Sequence, residues 1–474
     1  MIRKAKVRWA TGLRVVALAA SLAAMGACRR PRFPSRGDAA AVVVVVPHRD
    51  AAGPPGVTEQ EPNDSPEQAQ VLAINADWPV LEVEGSLLGP GDGKGKDVDV
   101  FKLLVPGGRS EPAKSTPSLD SAAQPDDPRM LARRLALEIA PEGGSGLTVQ
   151  LLDDGLKSLE TVSVATGEVG GMPNMAVSPG RVYYVRIKPP AKPGRAAKVA
   201  DVQSTACKYK LTVQLDDFEV ADEREPNDGM ETAIPVAVMG TAELAGYHGW
   251  QHDQDFYRIA QPEVACALDV DLDAVEGVAA SLQVLDGAGK RLAFGKGRKS
   301  ERAALRNVLV PPAPADPGSA PRNVFVVVRG ESGQNRTQRY VLRMTLGAPK
   351  LDAEIEPNDS PDSATPVRDG TLSGYLPVGD VDYFRYDGEG QRDVTFEVAC
   401  PSRVRGKLEA FRAGTSVAST ETKKARQSVV LSGVATQGQS LVLRVSQARG
   451  DGNANEPYSL KITSVPSAPS PVRD

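Results

Sequence analysis

The chain is poor in aromatic residues, which make up 5% of its 474 positions. That scarcity argues against the stacking platforms used to hold single-stranded nucleic acid. Histidine is scarcer still: His48, His248 and His252 are the whole set, so a Ser-His-Asp relay has few bases to draw on. His248 and His252 flank Trp250 and suggest a transition-metal pair. No helix is expected there to place them on one face, so the spacing reads as a surface loop. The patterns H-E-x-x-H and G-x-S-x-G and the phosphate-binding loop are missing. Runs with helical i, i+3, i+4 spacing are nearly absent as well. What is plentiful is turn chemistry. The 45 glycines and 38 prolines exceed a sixth of the chain, against about 12% in average proteins. A hydrophobic share of 41% and a charged share of 24% describe neither a disordered chain nor a membrane bundle, and the length suggests about three domains.

The N-terminus carries Arg3, Lys4, Lys6, Arg8 and Arg14 with no acid, then an apolar stretch from Val15 to Ala24. This is the pattern of an export signal, and the stretch is too short to span a bilayer. It ends in Met25-Gly26-Ala27-Cys28, which resembles a bacterial lipobox, with Met25 where Leu is usual. The resemblance implies cleavage after residue 27 and a lipid on Cys28. Arg29 follows, so the Asp that holds some lipoproteins at the inner membrane is absent, and the outer membrane of a bacterial cell envelope is the expected address. Losing the five basic residues of the leader moves the net charge from −4 to −9. An acidic mature chain argues against a phosphate backbone as partner, so no nucleic acid is expected. Residues 28–57, with five consecutive valines (Val42 to Val46) and Gly53-Pro54-Pro55-Gly56, read as a tether.

Three ordered motifs recur three times. The first is E-x-E-P-N-D, at 59–64, 223–228 and 354–359. The second is D-x-D-x-aromatic, at 97–101, 253–257 and 380–384. The third is Y-x-L-x-apolar, at 209–213, 340–344 and 458–462. Repeats of this length are whole domains rather than solenoid turns. They give 58–218, 219–350 and 351–465, with a tail at 466–474 and a disordered insertion at about 107–128 inside the first. Apolar residues alternate with period two, as in Leu135-Leu137-Ile139 and Leu441-Leu443-Val445, between Gly, Pro and Asp-Gly turns. This predicts all-β architecture: three tandem antiparallel β-sandwiches. Ser65-Pro66-Glu67-Gln68 predicts a short helical turn after each hexapeptide. Cys207, Cys266 and Cys400 fall one per repeat at non-equivalent positions. Buried free thiols are expected, with one disulfide between domains as the alternative.

The ordered triplet of motifs resembles the bacterial pre-peptidase C-terminal domain, a family that in turn resembles the collagen-binding domains of clostridial collagenases. The resemblance covers about residues 58–465. It implies compact β-sandwiches of jelly-roll-like form, and non-catalytic modules that bind substrates or surfaces, here without an attached peptidase. It also implies calcium ligands at Glu59, Glu61, Asn63, Asp64, Asp97 and Asp99, then Glu223, Glu225, Asn227, Asp228, Asp253 and Asp255, then Glu354, Glu356, Asn358, Asp359, Asp380 and Asp382. Calcium takes about 6–8 oxygen ligands of this kind, and alternate residues of an extended segment share a side. A purely structural role competes, because Asn and Asp side chains also cap turns by bonding nearby backbone. A turn alone, however, does not require both glutamates in every copy. The reading that follows is a non-catalytic, lipid-anchored binding or scaffold protein whose partner is an unknown envelope protein. A surface adhesin for matrix or polysaccharide and a hydrolase accessory or unfamiliar hydrolase built on a carboxylate pair are the alternatives.

Overall fold

A computed structural model describes residues 55–75, 79–87, 97–107, 131–143, 146–190, 206–313, 323–450 and 452–467. The leader, Cys28, His48, nearly all of the tether and the insertion, with its flank to residue 130, lie outside them. Among the described residues no helix is long and apolar enough to cross a membrane.

The described chain is β-structure throughout, arranged as six sheets. The first ten strands are β1 (Gly56–Thr58), β2 (Gln70–Leu72), β3 (Val80–Leu87), β4 (Asp99–Leu104), β5 (Arg133–Glu142), β6 (Leu147–Leu152), β7 (Ser158–Val164), β8 (Gly170–Val177), β9 (Val182–Lys188) and β10 (Cys207–Asp217). They form two sheets in the orders β1-β3-β10-β5-β8 and β2-β4-β9-β6-β7. Next come β11 (Ile234–Val236), β12 (Thr241–His248), β13 (Gln254–Ala260), β14 (Cys266–Leu272), β15 (Ala279–Leu285), β16 (Arg291–Lys296), β17 (Ala303–Val310), β18 (Asn323–Ser332) and β19 (Asn335–Gly347). Their sheets run β12-β19-β14-β17 and β11-β13-β18-β15-β16. The last set is β20 (Thr365–Val367), β21 (Gly370–Leu376), β22 (Val381–Tyr386), β23 (Arg392–Ala399), β24 (Gly406–Arg412), β25 (Thr415–Glu421), β26 (Ser428–Ala435), β27 (Leu441–Gln447) and β28 (Asn453–Pro466). Their sheets run β21-β28-β23-β26 and β20-β22-β27-β24-β25. Strand for strand, the three wirings coincide. Only β1 lacks a named counterpart, and Asp222 with Ala245 and Ala353 with Ser373 form single parallel bridges in its place.

The period-two pattern sets this architecture. In β10, Tyr209, Leu211, Val213 and Leu215 point inward and are buried, while the residues between them reach solvent. Each pair of sheets closes over its own core. Val83, Leu137 and Leu211 meet Phe101, Val149 and Val185 in the first. Among the described residues, the expected helical turn forms as a short 3-10 helix only at Pro361–Ser363, where Ser360 and Ser363 build a reciprocal capping box. The corresponding segments of the first two sandwiches are plain turns; in the second, Thr232 still accepts the Gly229 N–H at 3.2 Å, but Gly229 has no side chain to return the bond.

Successive sandwiches dock through the hexapeptides. Glu225 lies along edge strand β8: its N–H donates to Asn174 O (3.1 Å) and its carbonyl accepts from Ala176 N–H (2.7 Å). Glu356 repeats this on β17 with Asn307 O (3.2 Å) and Leu309 N–H (2.7 Å). Trp250 of the second sandwich is buried in the hydrophobic core of the first, and Arg336 pairs with Glu138 across the same joint at 2.9 Å. At the next joint the Arg306 guanidinium lies over the Tyr375 ring at 5.9 Å.

Candidate metal centres

Each hexapeptide folds in the same way, and both of its glutamates bond backbone. The second glutamate accepts the N–H of the asparagine two residues on: Asn63 to Glu61 at 2.8 Å, Asn227 to Glu225 at 2.6 Å, Asn358 to Glu356 at 2.7 Å. The asparagine carbonyl takes the N–H of Val100, Phe256 or Tyr383 at 3.0, 3.0 and 2.9 Å, tying the segment to the D-x-D strand. The first glutamate accepts the N–H of Ser86 (2.6 Å), Tyr247 (2.9 Å) or Tyr375 (2.6 Å). All three Glu-Pro bonds are cis.

The D-x-D strands β4, β13 and β22 bring the second aspartate beneath this segment. Asp99, Asp255 and Asp382 are fully buried. Each accepts a phenolic hydrogen bond, from Tyr209 (2.6 Å), Tyr340 (2.7 Å) and Tyr458 (2.7 Å) respectively. The Tyr458 hydroxyl also lies 2.9 Å from Glu354 Oε2, and Tyr340 lies 3.4 Å from Glu223 Oε2. The ring fits because the facing strand carries glycine at that point. A Cβ on Gly85, Gly246 or Gly374 would overlap the tyrosine ring and approach the first glutamate. The closing motif of each repeat is thus part of the site, a role the sequence reading did not assign to its tyrosine. A glycine standing mid-strand once per repeat was the available signal.

Carboxylate oxygens converge in every copy. Glu59, Glu61 and Asp99 form one group, Glu356, Asp380 and Asp382 another, and the second sandwich has two that share a residue: Glu223-Glu225-Asp255 and Glu225-Asp228-Asp253. Within each group the ligand oxygens lie within 4.8 Å of one another. The other predicted residues sit around them. Asn63, Asn227 and Asn358 are fully buried, Glu354 reaches Asp382, and Asp97 raises the pKa of both Glu61 and Asp99. Asp64 instead caps the Val98 N–H at 3.3 Å, and Asp359 feels Arg291 of the preceding sandwich. The clusters differ in access. Glu59 is half-buried and Glu61 exposed, whereas Glu223, Glu225, Glu354 and Glu356 are buried beneath the docked joints.

Burying so many acids without compensation raises their proton affinity. Burial pushes Asp99 up to about 9, with the Glu59 and Asp97 charges adding to it. Burial and Asp359 push Glu356 up to about 8, and Glu225, Asp253, Asp255, Asp380 and Asp382 stand well above the carboxylate range for the same two reasons.

The oxygens left over fit a hard cation. Asn63 Oδ1, Asp99 Oδ1 and Asp253 Oδ1 are buried without a hydrogen-bond partner among the described residues. The Asn227 amide oxygen faces only acceptors, Asp255 Oδ1 at 3.2 Å and both Glu225 carboxylate oxygens at 3.3 Å. The Asn358 amide oxygen faces Glu356 Oε2 at 3.2 Å and Asp382 Oδ1 at 3.3 Å. Oxygens aimed at oxygens are satisfied either by turning the amide over or by a cation among them. A donor set made of carboxylate and amide oxygen suits calcium.

Two side readings change. His248 is not in a surface loop: it ends β12, is fully buried, holds its ring 5.0 Å from that of Tyr340 at a tilt of 41° and has neither ring nitrogen paired among the described residues. Burial lowers it to about 4, so it is neutral. His252 is exposed in the following turn. Cys207 and Cys400 are buried free thiols, while Cys266, also free, is half-exposed.

No protein-family model matches this chain, and no curated protein matches it. Among solved structures it has faint likenesses. The PBSX exported protein XepA is 9% identical with a TM-score of 0.14, over 45% of this chain and 76% of that one. A Sulfolobus turreted icosahedral virus structure is 9% identical with a TM-score of 0.14, over 70% and 80%. An oxalate decarboxylase from B. subtilis is 8% identical with a TM-score of 0.11, over 45% and 64%.

Proposed function

We propose that this chain is a non-catalytic binding or scaffold protein of a bacterial cell envelope, made of three cation-stabilised β-sandwich modules like pre-peptidase C-terminal domains and held to the outer membrane by a lipid on Cys28. The observation that carries the modular part is the repetition of one acid cluster, built from the same three motifs, in every sandwich. The clusters serve stability in this reading. Glu59, Glu61, Asn63 and Asp99, with their counterparts Glu223, Glu225, Asn227 and Asp255 and Glu354, Glu356, Asn358 and Asp382, would hold the ion, and calcium would supply the positive charge that the buried acids lack. The ion would join the segment entering each sandwich to its D-x-D strand.

The anchor rests on the order of charges, apolar stretch and Cys28 in the sequence. The partner in this reading is an envelope component. Co-purification of the membrane-anchored protein with and without a calcium chelator tests the reading. Partners retained in calcium and lost in chelator support it. A full chain that binds no calcium by calorimetry overturns the cation role.

A further inference from the structure

Each joint between sandwiches has two halves. One is the hexapeptide of the following sandwich. The other is an edge strand of the preceding one, β8 or β17, bulged against its neighbour. The hexapeptide adds to that edge as a single parallel rung, Glu225 at Met175 and Glu356 at Val308. The carbonyl of Asn174 or Asn307 accepts the glutamate N–H, and the N–H of Ala176 or Leu309 donates back. The residue before the asparagine also meets the next sandwich. A Cβ on Gly249 would lie 2.9 Å from Pro173, and Arg306 lies over Tyr375.

The third sandwich has the same edge, unused. β26 ends its sheet as β8 and β17 end theirs. Its bulge falls at the matching place: Leu431 and Val434 flank it opposite Phe396 and Val394, as Leu305 and Val308 flank theirs opposite Val270 and Leu268. Gly433 takes a left-handed φ of 64° there, as Asn307 does with 50°. Ser432, Gly433 and Ala435 therefore stand where Arg306, Asn307 and Leu309 stand in β17. Among the described residues no strand pairs with this edge. Asn307 and Ala304 are buried, whereas their counterparts Gly433 and Val430 are exposed. β26 also carries neither proline nor charge, the usual guards of an open edge.

The first sandwich has the other half, also unused. The Glu61 N–H and carbonyl have no backbone partner among the described residues, and Glu61 is exposed where Glu225 and Glu356 are buried. Asp64, Glu67 and Glu84 are exposed with it and make this face acidic. The turn leading into β26 is basic, with Lys423 and Lys424 exposed. The matching turn before β17 takes part in its joint, where Glu301 pairs with Arg403 of the third sandwich.

We propose that β26 receives the first hexapeptide of a second copy of this chain, with Glu61 adding at Val434, so that copies associate head to tail. The two halves are different surfaces, so the contact is heterologous and repeats from copy to copy. Gly433 lacks the side chain with which Asn307 clasps the incoming segment, so this joint is the weaker one and reversible. It needs no cation and stands apart from the calcium reading.

The test is sedimentation velocity over a dilution series of the full chain without its leader, kept reduced because Cys207, Cys266 and Cys400 are free thiols. The variants are Ser432→Glu on β26, Lys423→Glu with Lys424→Glu beside it, and Val417→Lys on β25, the edge strand of the other sheet. All four positions are exposed, and matching melting curves check that the variants fold. The parent chain should form assemblies larger than a dimer as concentration rises, and added salt should weaken them. Ser432→Glu and the double lysine variant, which set acid against acid, should each weaken association about tenfold or more. Val417→Lys should associate like the parent. An excess of the Ser432→Glu chain should shorten parent assemblies, because its hexapeptide still docks while its β26 accepts nothing. A parent chain that stays monomeric at every concentration overturns the proposal. So does a dimer that excess Ser432→Glu chain leaves intact, or association that Val417→Lys abolishes and the β26 variants do not.

Discussion

A carboxylate such as Asp99 shows what one residue contributes here. It is buried, it accepts the Tyr209 hydroxyl at 2.6 Å, and its pKa is pushed up to about 9. An unfolded Asp titrates near about 3.9, so the folded chain holds an extra proton between those values. Stability from that proton is complete below the unfolded value and lost as pH rises through the folded one. In chelator, therefore, the melting temperature should fall as pH is raised from about 5 to 9. In calcium the ion replaces the proton and the slope should flatten. Melting curves across that range check both, and a chelated protein that gains stability with pH contradicts the buried-acid account. Gly246 makes a second test. A methyl there would overlap the Tyr340 ring and Glu223, whereas one on Gly56 meets nothing within 4 Å. Gly246→Ala should cost about 1–3 kcal/mol as overpacking, and Gly56→Ala should be close to silent by the same denaturant titration.

At the scale of the element, β17 acts as both a strand and a socket. Asn307 sits in it with φ of 50°, a left-handed position that asparagine tolerates better than most residues. Its side chain donates to Lys350 O and Glu354 O and accepts from Lys350 N–H, clasping the chain just before the third hexapeptide. Asn307→Gly keeps the backbone conformation and removes the clasp. Its expected cost is about 1–3 kcal/mol for the backbone groups left unpaired, with earlier protease cutting around 347–353. If Asn307→Gly is cut no faster than the parent chain, the clasp contributes nothing to the joint.

Considered as a whole, the molecule is three sandwiches joined in sequence, with the acid clusters of the second and third at the joints. Calcium at 100-fold above its dissociation constant would stabilise a single site by about 2.7 kcal/mol, several degrees in a module of this size. The full chain should melt higher in calcium than in chelator by at least that much, because sealed joints tie the modules together. An equal midpoint in both solutions would remove the metal and leave the hexapeptides as turns. The anchor has its own check. Cys28→Ala should release the protein from the membrane fraction after a salt wash.

Local pattern carried the sandwich class: period-two burial and turn residues are short-range properties, and they were legible in Leu135-Leu137-Ile139 before any strand was placed. Recurrence likewise marked most of the acids that converge, since Glu59, Glu61 and Asp99 stand in order in each copy. Other features depended on residues distant in the chain coming together. Tyr209 meets Asp99 across 110 residues, a contact made by strand order and by the space above Gly85. His248 read as loop because nothing local shows that β12 runs through it into a buried corner. Trp250 enters the core of the first sandwich because two sandwiches dock edge to hexapeptide, and docking depends on the shape of both surfaces, which neither repeat contains alone.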